Sequence, residues 1–350
     1  MPRGVKRRHA VVVDVVDQIL ALGSAARRSE LHATDRELSA LVRAGVVRRV
    51  GRGAYALASA SPGLIRAVEH DALIGCTSAL QEYGVDVPGD STLLHLSVPS
   101  NRGTRRTATG FRRHFEDVHR QATRRLVTLP DAAVRASLCQ SYDAAVATLD
   151  RVAHGRPEHL LEMILCGVES LNPARAAAFR VDVSRLSRSR IETDARLALR
   201  RAGFAAAPGV VIPGVGEVDL LVEGRLVVEL DGYAYHKDRR AFVTDRRRDL
   251  AALWLGLPTV RLPYEDSQPV TVVRKVAATL RQFPPGALAC SDEIDPDVSA
   301  AVRELCRHAA GSHHAAVGWP KLAPRDARGL ASLIEDVTMA AQPPRLRVDV

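Results

Sequence analysis

The chain has 350 residues, with 49 Lys and Arg against 40 Asp and Glu and a net charge of +9. That length exceeds what one core ordinarily fills and predicts two or three domains, while a hydrophobic fraction of 46% excludes wholesale disorder. Asp14, Asp17 and Gln18 interrupt the apolar run near the amino end, and the five cysteines are scattered without a Cys-x-x-Cys pair, so a cytoplasmic protein with free thiols, no signal peptide and no membrane association is expected. The positive charge favours a polyanionic partner. Only Lys6, Lys237, Lys275 and Lys321 are lysines; an arginine-rich composition therefore inflates the basic look, and placement carries more information than the total.

Residues 10–57 predict three helices followed by a small hairpin. The first helix covers Val11–Leu22 and stops at Gly23, and a short second one covers Arg28–His32. Thr34-x-x-Glu37 is a capping box opening a third over Asp35–Ala44, with Leu38, Leu41 and Val42 on one side and Gly45 as its stop. Val46–Val50, the Gly51-Arg52-Gly53 turn and Ala54–Leu57 make the hairpin. This is the pattern of a winged helix-turn-helix, whose third helix enters the major groove while the hairpin tip reaches a neighbouring groove or the backbone. The run LVRAGVVRRVGRGAYAL resembles the amino-terminal winged helix of AbiEi-type antitoxins of bacterial toxin–antitoxin and phage-defence systems. The resemblance covers about fifty residues and implies that Arg36, Arg43, Arg48, Arg49 and Arg52 meet double-stranded DNA, with a cognate toxin as a further partner.

Ser59–Gly63 is expected to be a linker. Beyond it, His70–Tyr83 reads as a helix, Leu93–Val98 as a strand and Ser141–Ala153 as an amphipathic helix. The stretch from Asn101 to Arg125 holds arginines at 102, 105, 106, 112, 113, 120, 124 and 125. Either a basic β-hairpin with Arg105 and Arg106 along a phosphate backbone or an ordinary solvated surface fits it. The segment order here is loosely similar to the region behind the winged helix in AbiEi-like proteins, and no catalytic cluster stands out.

From residue 187 the pattern reads α-β-β-β-α-β. Ser189-Arg-Ile-Glu192 opens a helix that stops at Gly203. Gly209–Ile212 and a Pro213-Gly214 turn follow, then a hairpin around Glu223-Gly224-Arg225, a helix over Arg239–Gly256 and the strand Thr259–Leu262. If the hairpin joins Val222 to Leu226, then Val218 faces Leu230, Leu220 faces Val228, and one face is apolar. The other face carries Glu217, Asp219, Glu229 and Asp231, with Asp219 across from Glu229 and Glu217 across from Asp231. Opposed carboxylates destabilise a hairpin unless neutralised, and a hard cation such as Mg²⁺ does so through oxygen ligands. A solvated acidic face is the alternative.

This order, with VVELDGYAYH and RRRDLAALWLGLPTVRL, resembles the Vsr-like branch of the PD-(D/E)XK nucleases over residues 189 to 265. The likeness implies a restriction-endonuclease-like core that hydrolyses DNA phosphodiesters with Mg²⁺ or Mn²⁺. Asp219, Glu229 and Glu192 would hold the metal, His236 would act as general base or orient the water, Arg248 would face phosphate, and Asp249 would support. Asp231 stands where the superfamily usually has lysine, which leaves the base open. It also admits a non-catalytic antitoxin-type regulator as the alternative, and RNA as the substrate stays open. The whole reads as a multidomain α+β protein: residues 1–60 winged helix, 61–185 mixed middle domain, 186–286 nuclease-like domain and 287–350 helical tail, with a homodimer as one assembly. Cys290, Cys306, His308, His313 and His314 in the tail match no standard zinc spacing.

Overall fold

The computed structural model describes residues 14–89, 93–101, 110–121, 124–231 and 239–285, together with Ala300 and Glu304. Helices and sheets are mixed, and the described strands form three separate sheets. The described residues up to 152, with 156–177, make one unit; 153–155 and those from 178 onward make another. No described helix is long and apolar enough to cross a membrane. Arg105, Arg106, His236 and the expected tail helices, apart from Ala300 and Glu304, lie outside the described residues.

The first unit begins with helix α1 (14–21), after which Gly23 takes a φ of 89°. Strand β1 (Ala25–Arg27), helix α2 (Asp35–Arg43) and strands β2 (Arg48–Gly51) and β3 (Ala54–Ala56) follow, in an antiparallel sheet of order β1-β3-β2. The Thr34 cap is reciprocal: Thr34 Oγ1 accepts the Glu37 amide at 3.2 Å while Glu37 accepts the Thr34 amide at 2.7 Å. Gly45 ends α2 at a φ of 70°, where a side chain would be strained. Val15, Ile19, Leu38, Leu41 and Val47 pack into one core. The expected second helix is only a 3₁₀ turn, Arg28–Glu30. Its carboxylate bonds back to the Arg27 amide at 2.7 Å, and Leu31 is already extended as it enters the core.

Two expectations for the middle of this unit are corrected. The Ser59–Gly63 stretch is not a linker throughout, because Ser61 caps and Pro62 opens helix α3 (Pro62–Glu69). Residues 70–83 are not one helix: Asp71 turns at a φ of 49°, strand β4 (Leu73–Ile74) follows, and helix α4 spans Cys76–Glu82. Gly75 divides the last two, since a Cβ there would lie 2.0 Å from Ser97 Oγ on strand β5 (Leu94–Val98). Strand β6 (Phe111–Phe115), within the basic run, runs parallel to β5. Helices α5 (Leu129–Cys139), α6 (Tyr142–Ala153) and α7 (Glu158–Leu171) follow, and α8 (Pro173–Asp182) leads into the second unit.

The second unit keeps the expected element order. Helix α9 (Arg190–Arg201) is followed by strands β7 (Ala206–Ile212), β8 (Gly216–Val222) and β9 (Leu226–Asp231), helix α10 (Arg239–Trp254), strand β10 (Thr259–Pro263) and helix α11 (Pro269–Gln282). The sheet order is β10-β9-β8-β7, with β10 parallel to β9 and the others antiparallel. Both faces are covered, which explains the contiguous apolar residues of β8 and β9. Ala195 and Leu199 of α9 and Val272 and Val276 of α11 pack with Leu220, Val222 and Val228. Ala252 and Leu255 pack with Leu221 and Val227 on the other side.

The Leu220–Val228 and Val222–Leu226 pairs are those expected, but Val218 does not join their face. It packs with Leu221 and Val227. Ala206 and Ala207 of β7 divide between the two cores, yet Val210 and Ile212 both join the one that holds Ala207. The alternation therefore changes phase at Gly209, which has a φ of 60°, and at Asp219 beside it on β8.

Candidate active site

The phase change sets the position of Asp219. The β8–β9 ladder stops at Leu220–Val228, and one step further the Asp219 carboxylate, through Oδ2, accepts the Leu230 amide at 2.8 Å. A side-chain oxygen replaces a backbone carbonyl there, so the buried amide is satisfied and Asp219 is drawn to 8% exposure. Glu229, on β9, lies close enough to Asp219 to feel its charge. Glu192 arrives from the first turn of α9. Ser189 Oγ accepts the Glu192 amide at 3.2 Å, and Glu192 Oε2 accepts the Arg188 amide at 2.7 Å, which locks that carboxylate in a buried position.

Negative charge at this spot is only partly neutralised. Burial, then the charge of Asp219, pushes Glu229 up to about 7, against the pull of Arg248 and Arg261. Burial also raises Glu192; the Arg188 amide pulls the other way, and Asp219 adds to the rise. Two arginines lie against the group. Arg188 donates through Nη2 to Asp219 Oδ1 at 2.5 Å, and its Nε lies 3.8 Å from Glu217. Burial works against its charge, but Glu192, Asp219 and Glu217 hold its pKa above the usual value. Arg188 is not among the residues expected at the site; its sequence signal is a cation four residues before Glu192, next to the cap.

Arg248 is held by backbone carbonyls. Its Nε donates to the Val215 carbonyl at 2.6 Å and its Nη2 to the Glu217 carbonyl at 2.5 Å, with Glu229 at 3.5 Å. Asp249 holds Arg261 at 2.6 Å and Arg246 at 3.3 Å. Asp231 is half-buried and acts on Arg261, while Glu217 is exposed beside Arg188. Of the four hairpin carboxylates, Asp219 and Glu229 thus come together, and Glu217 and Asp231 each face a different arginine.

In the first unit, Arg36, Arg43, Arg48, Arg49 and Arg52 are all exposed. Arg36 and Arg43 from α2 and Arg49 from β2 line one shallow concavity of about 560 Å³, together with Ser39 and Tyr55. The later part of the basic run is used internally. Arg120 reaches Glu30 at 2.5 Å, Arg124 reaches Glu82 at 2.5 Å, and buried Arg125 binds Glu30 at 3.1 Å and Asp71 at 3.2 Å.

Among the described residues, the set of metal-ligating side chains whose ligand atoms all fall within 4.8 Å of one another is Cys76, His95, His114 and Cys139, not the carboxylates. The sequence concealed it because at least eighteen residues separate each member from the next. Comparison of the chain with protein-family models and with curated proteins finds no match.

Proposed function

We propose that the protein binds double-stranded DNA and hydrolyses its phosphodiester bonds with Mg²⁺ or Mn²⁺ held by Glu192, Asp219 and Glu229. The observation that carries this reading is the convergence of three largely buried carboxylates, from α9, β8 and β9, around Asp219. Their donor set suits a hard divalent cation, and burial, with the charge of Asp219 added, raises Glu192 and Glu229, a cost that a bound cation would offset. Such a cation supplies positive charge at the phosphate and lowers the pKa of a bound water. The chain's own part is positioning: the Leu230 amide orients Asp219, and the Ser189 cap orients Glu192. Arg188, whose side chain is 40% exposed, is placed to exchange Asp219 for a phosphate oxygen.

The α-β-β-β-α-β order supports a restriction-endonuclease-like core. The helices and small sheet of residues 14–56, with an exposed arginine concavity, support a winged helix that delivers the DNA. Two observations favour a second reading, a non-catalytic DNA-binding regulator of antitoxin type. Arg188 is already paired with Asp219, and Asp231 occupies the position where a lysine is usual.

The test incubates plasmid, linear duplex and mismatched DNA with the full chain and Mg²⁺ or Mn²⁺, beside Asp219→Ala and Glu229→Ala. Metal-dependent cutting that both variants lose, while still binding DNA, supports the nuclease. Binding without cutting by the wild type, or cutting that neither substitution affects, overturns it.

A further inference from the structure

We propose that Cys76, His95, His114 and Cys139 form a four-ligand zinc site that fastens α4, β5, β6 and α5 together in the first unit. Four soft or borderline donors from four elements meet there. Cys76 is the first residue of α4, His95 lies on β5, His114 on β6, and Cys139 is the last residue of α5. Their ligand atoms all lie within 4.8 Å of one another. His95 Nδ1 is 3.0 Å from His114 Nε2, and Cys139 Sγ is 3.9 Å from His95 Nδ1. Ordinary zinc bond lengths in a tetrahedron require about 3.3 Å between nitrogens and about 3.6 Å between nitrogen and sulfur. The two pairs lie within a few tenths of an ångström of those spacings, and the whole set, within 4.8 Å, contracts around one ion.

The backbone is built around this meeting. The parallel β5–β6 register sets Ser97 beside His114, and the imidazoles of His95 and His114 lie with centroids 5.2 Å apart, tilted by 35°. Gly75 permits the close approach of Ser97, and its amide bonds the His95 carbonyl at 3.0 Å. Cys76 then takes a φ of 52°, a conformation that costs a side-chain-bearing residue energy and recurs where geometry at a site demands it. A disulfide would join the two sulfurs and leave the facing imidazoles unexplained. One shared proton would account for the imidazoles but not for two thiols beside them.

Two sulfurs and two nitrogens in a tetrahedron select zinc over the hard cations suited to carboxylates. Four protein ligands leave no open position, so the site is structural rather than hydrolytic. Arg112 donates to Cys139 Sγ at 3.1 Å, an outer contact that steadies a thiolate.

The test measures metal in the full chain, purified without chelator from zinc-replete cells, by elemental mass spectrometry. About one equivalent of zinc per chain is expected. It should be lost in Cys139→Ser and in His114→Ala, and kept in Cys166→Ser and in Cys290→Ser with Cys306→Ser. Because those two ligand variants risk misfolding, cobalt is also exchanged into the wild type, where a thiolate-to-cobalt charge-transfer band is expected. A wild-type chain with neither zinc nor that band overturns the site. So do metal retained in folded Cys139→Ser, metal lost with Cys290 and Cys306, and a Cys76–Cys139 disulfide in the unreduced protein.

Discussion

Asp219 binds two partners with its two oxygens: Oδ2 accepts the Leu230 amide at 2.8 Å, and Oδ1 accepts Arg188 at 2.5 Å. The same carboxylate completes the edge of a strand pair and supplies charge to the candidate site. Asp219→Ala leaves a buried amide without an acceptor, which costs about 1–3 kcal/mol in urea melts. Asp219→Asn keeps an acceptor and loses less. In both variants Glu229 drops below its value of about 7, because the charge of Asp219 is gone, yet it stays above the ordinary range because burial, the larger cause, persists. Carboxyl NMR titration checks this; an unmoved Glu229 would show that the two groups do not interact.

Glu229 makes stability depend on pH in a definite direction. Its folded pKa of about 7 exceeds the ordinary 4.5. Below the ordinary value the group is protonated in both states and contributes nothing. As pH rises through the window between the two values, the unfolded chain releases the proton first, so stability falls, and above the folded value the penalty is complete. Glu229→Gln removes that penalty. Without added metal, the variant should gain up to about 3 kcal/mol over wild type near pH 8 and almost nothing near pH 4. Paired denaturant melts at the two pH values measure the difference, and an equal gain at both would refute the assignment.

Gly209 is the hinge of the phase change that buries Asp219. A Cβ there would lie 2.8 Å from Leu186 Cβ and 3.0 Å from the Leu186 carbonyl oxygen, on a backbone with a φ of 60°. Gly209→Ala is expected to cost about 1–3 kcal/mol from conformation alone, and more from the contact. If β7 relieves the strain by restoring a regular pleat, Asp219 moves and Glu229 titrates lower. Melts and the Glu229 titration together separate these outcomes.

The second unit was readable because its signals are local. Gly203 closes α9, Glu223 and Gly224 take the positive φ values of 53° and 61° that a tight turn needs, and the apolar runs beside them admit one register. The phase of Val218 was not readable, since alternation assumes an unbroken pleat and nothing in the composition of β8 announces a break three residues from its start. The first unit hid more because its decisive contacts are long-range. Arg120 meets Glu30 across ninety residues, so a run that reads as a free basic patch is partly internal ion pairing. The Cys/His group was hidden for the same reason.

The arginine concavity between α2 and β2 has a signature that a structural role would not reproduce. Arg36, Arg43 and Arg49 line it and are exposed to solvent. An exposed guanidinium contributes little to folding, so each Arg→Ala change should leave melts within about 0.5 kcal/mol of wild type. Each phosphate contact releases condensed counterions, so removing one guanidinium should lower the slope of log K against log salt by about one. Arginines that only touch phosphate weaken binding equally across duplex sequences, whereas one that reads a guanine edge costs about 1–3 kcal/mol at that base pair alone. Fluorescence-anisotropy titrations of the full chain at several salt concentrations, with two unrelated duplexes, measure both quantities. A triple variant with an unchanged slope would overturn the proposal that α2 and the hairpin bind DNA.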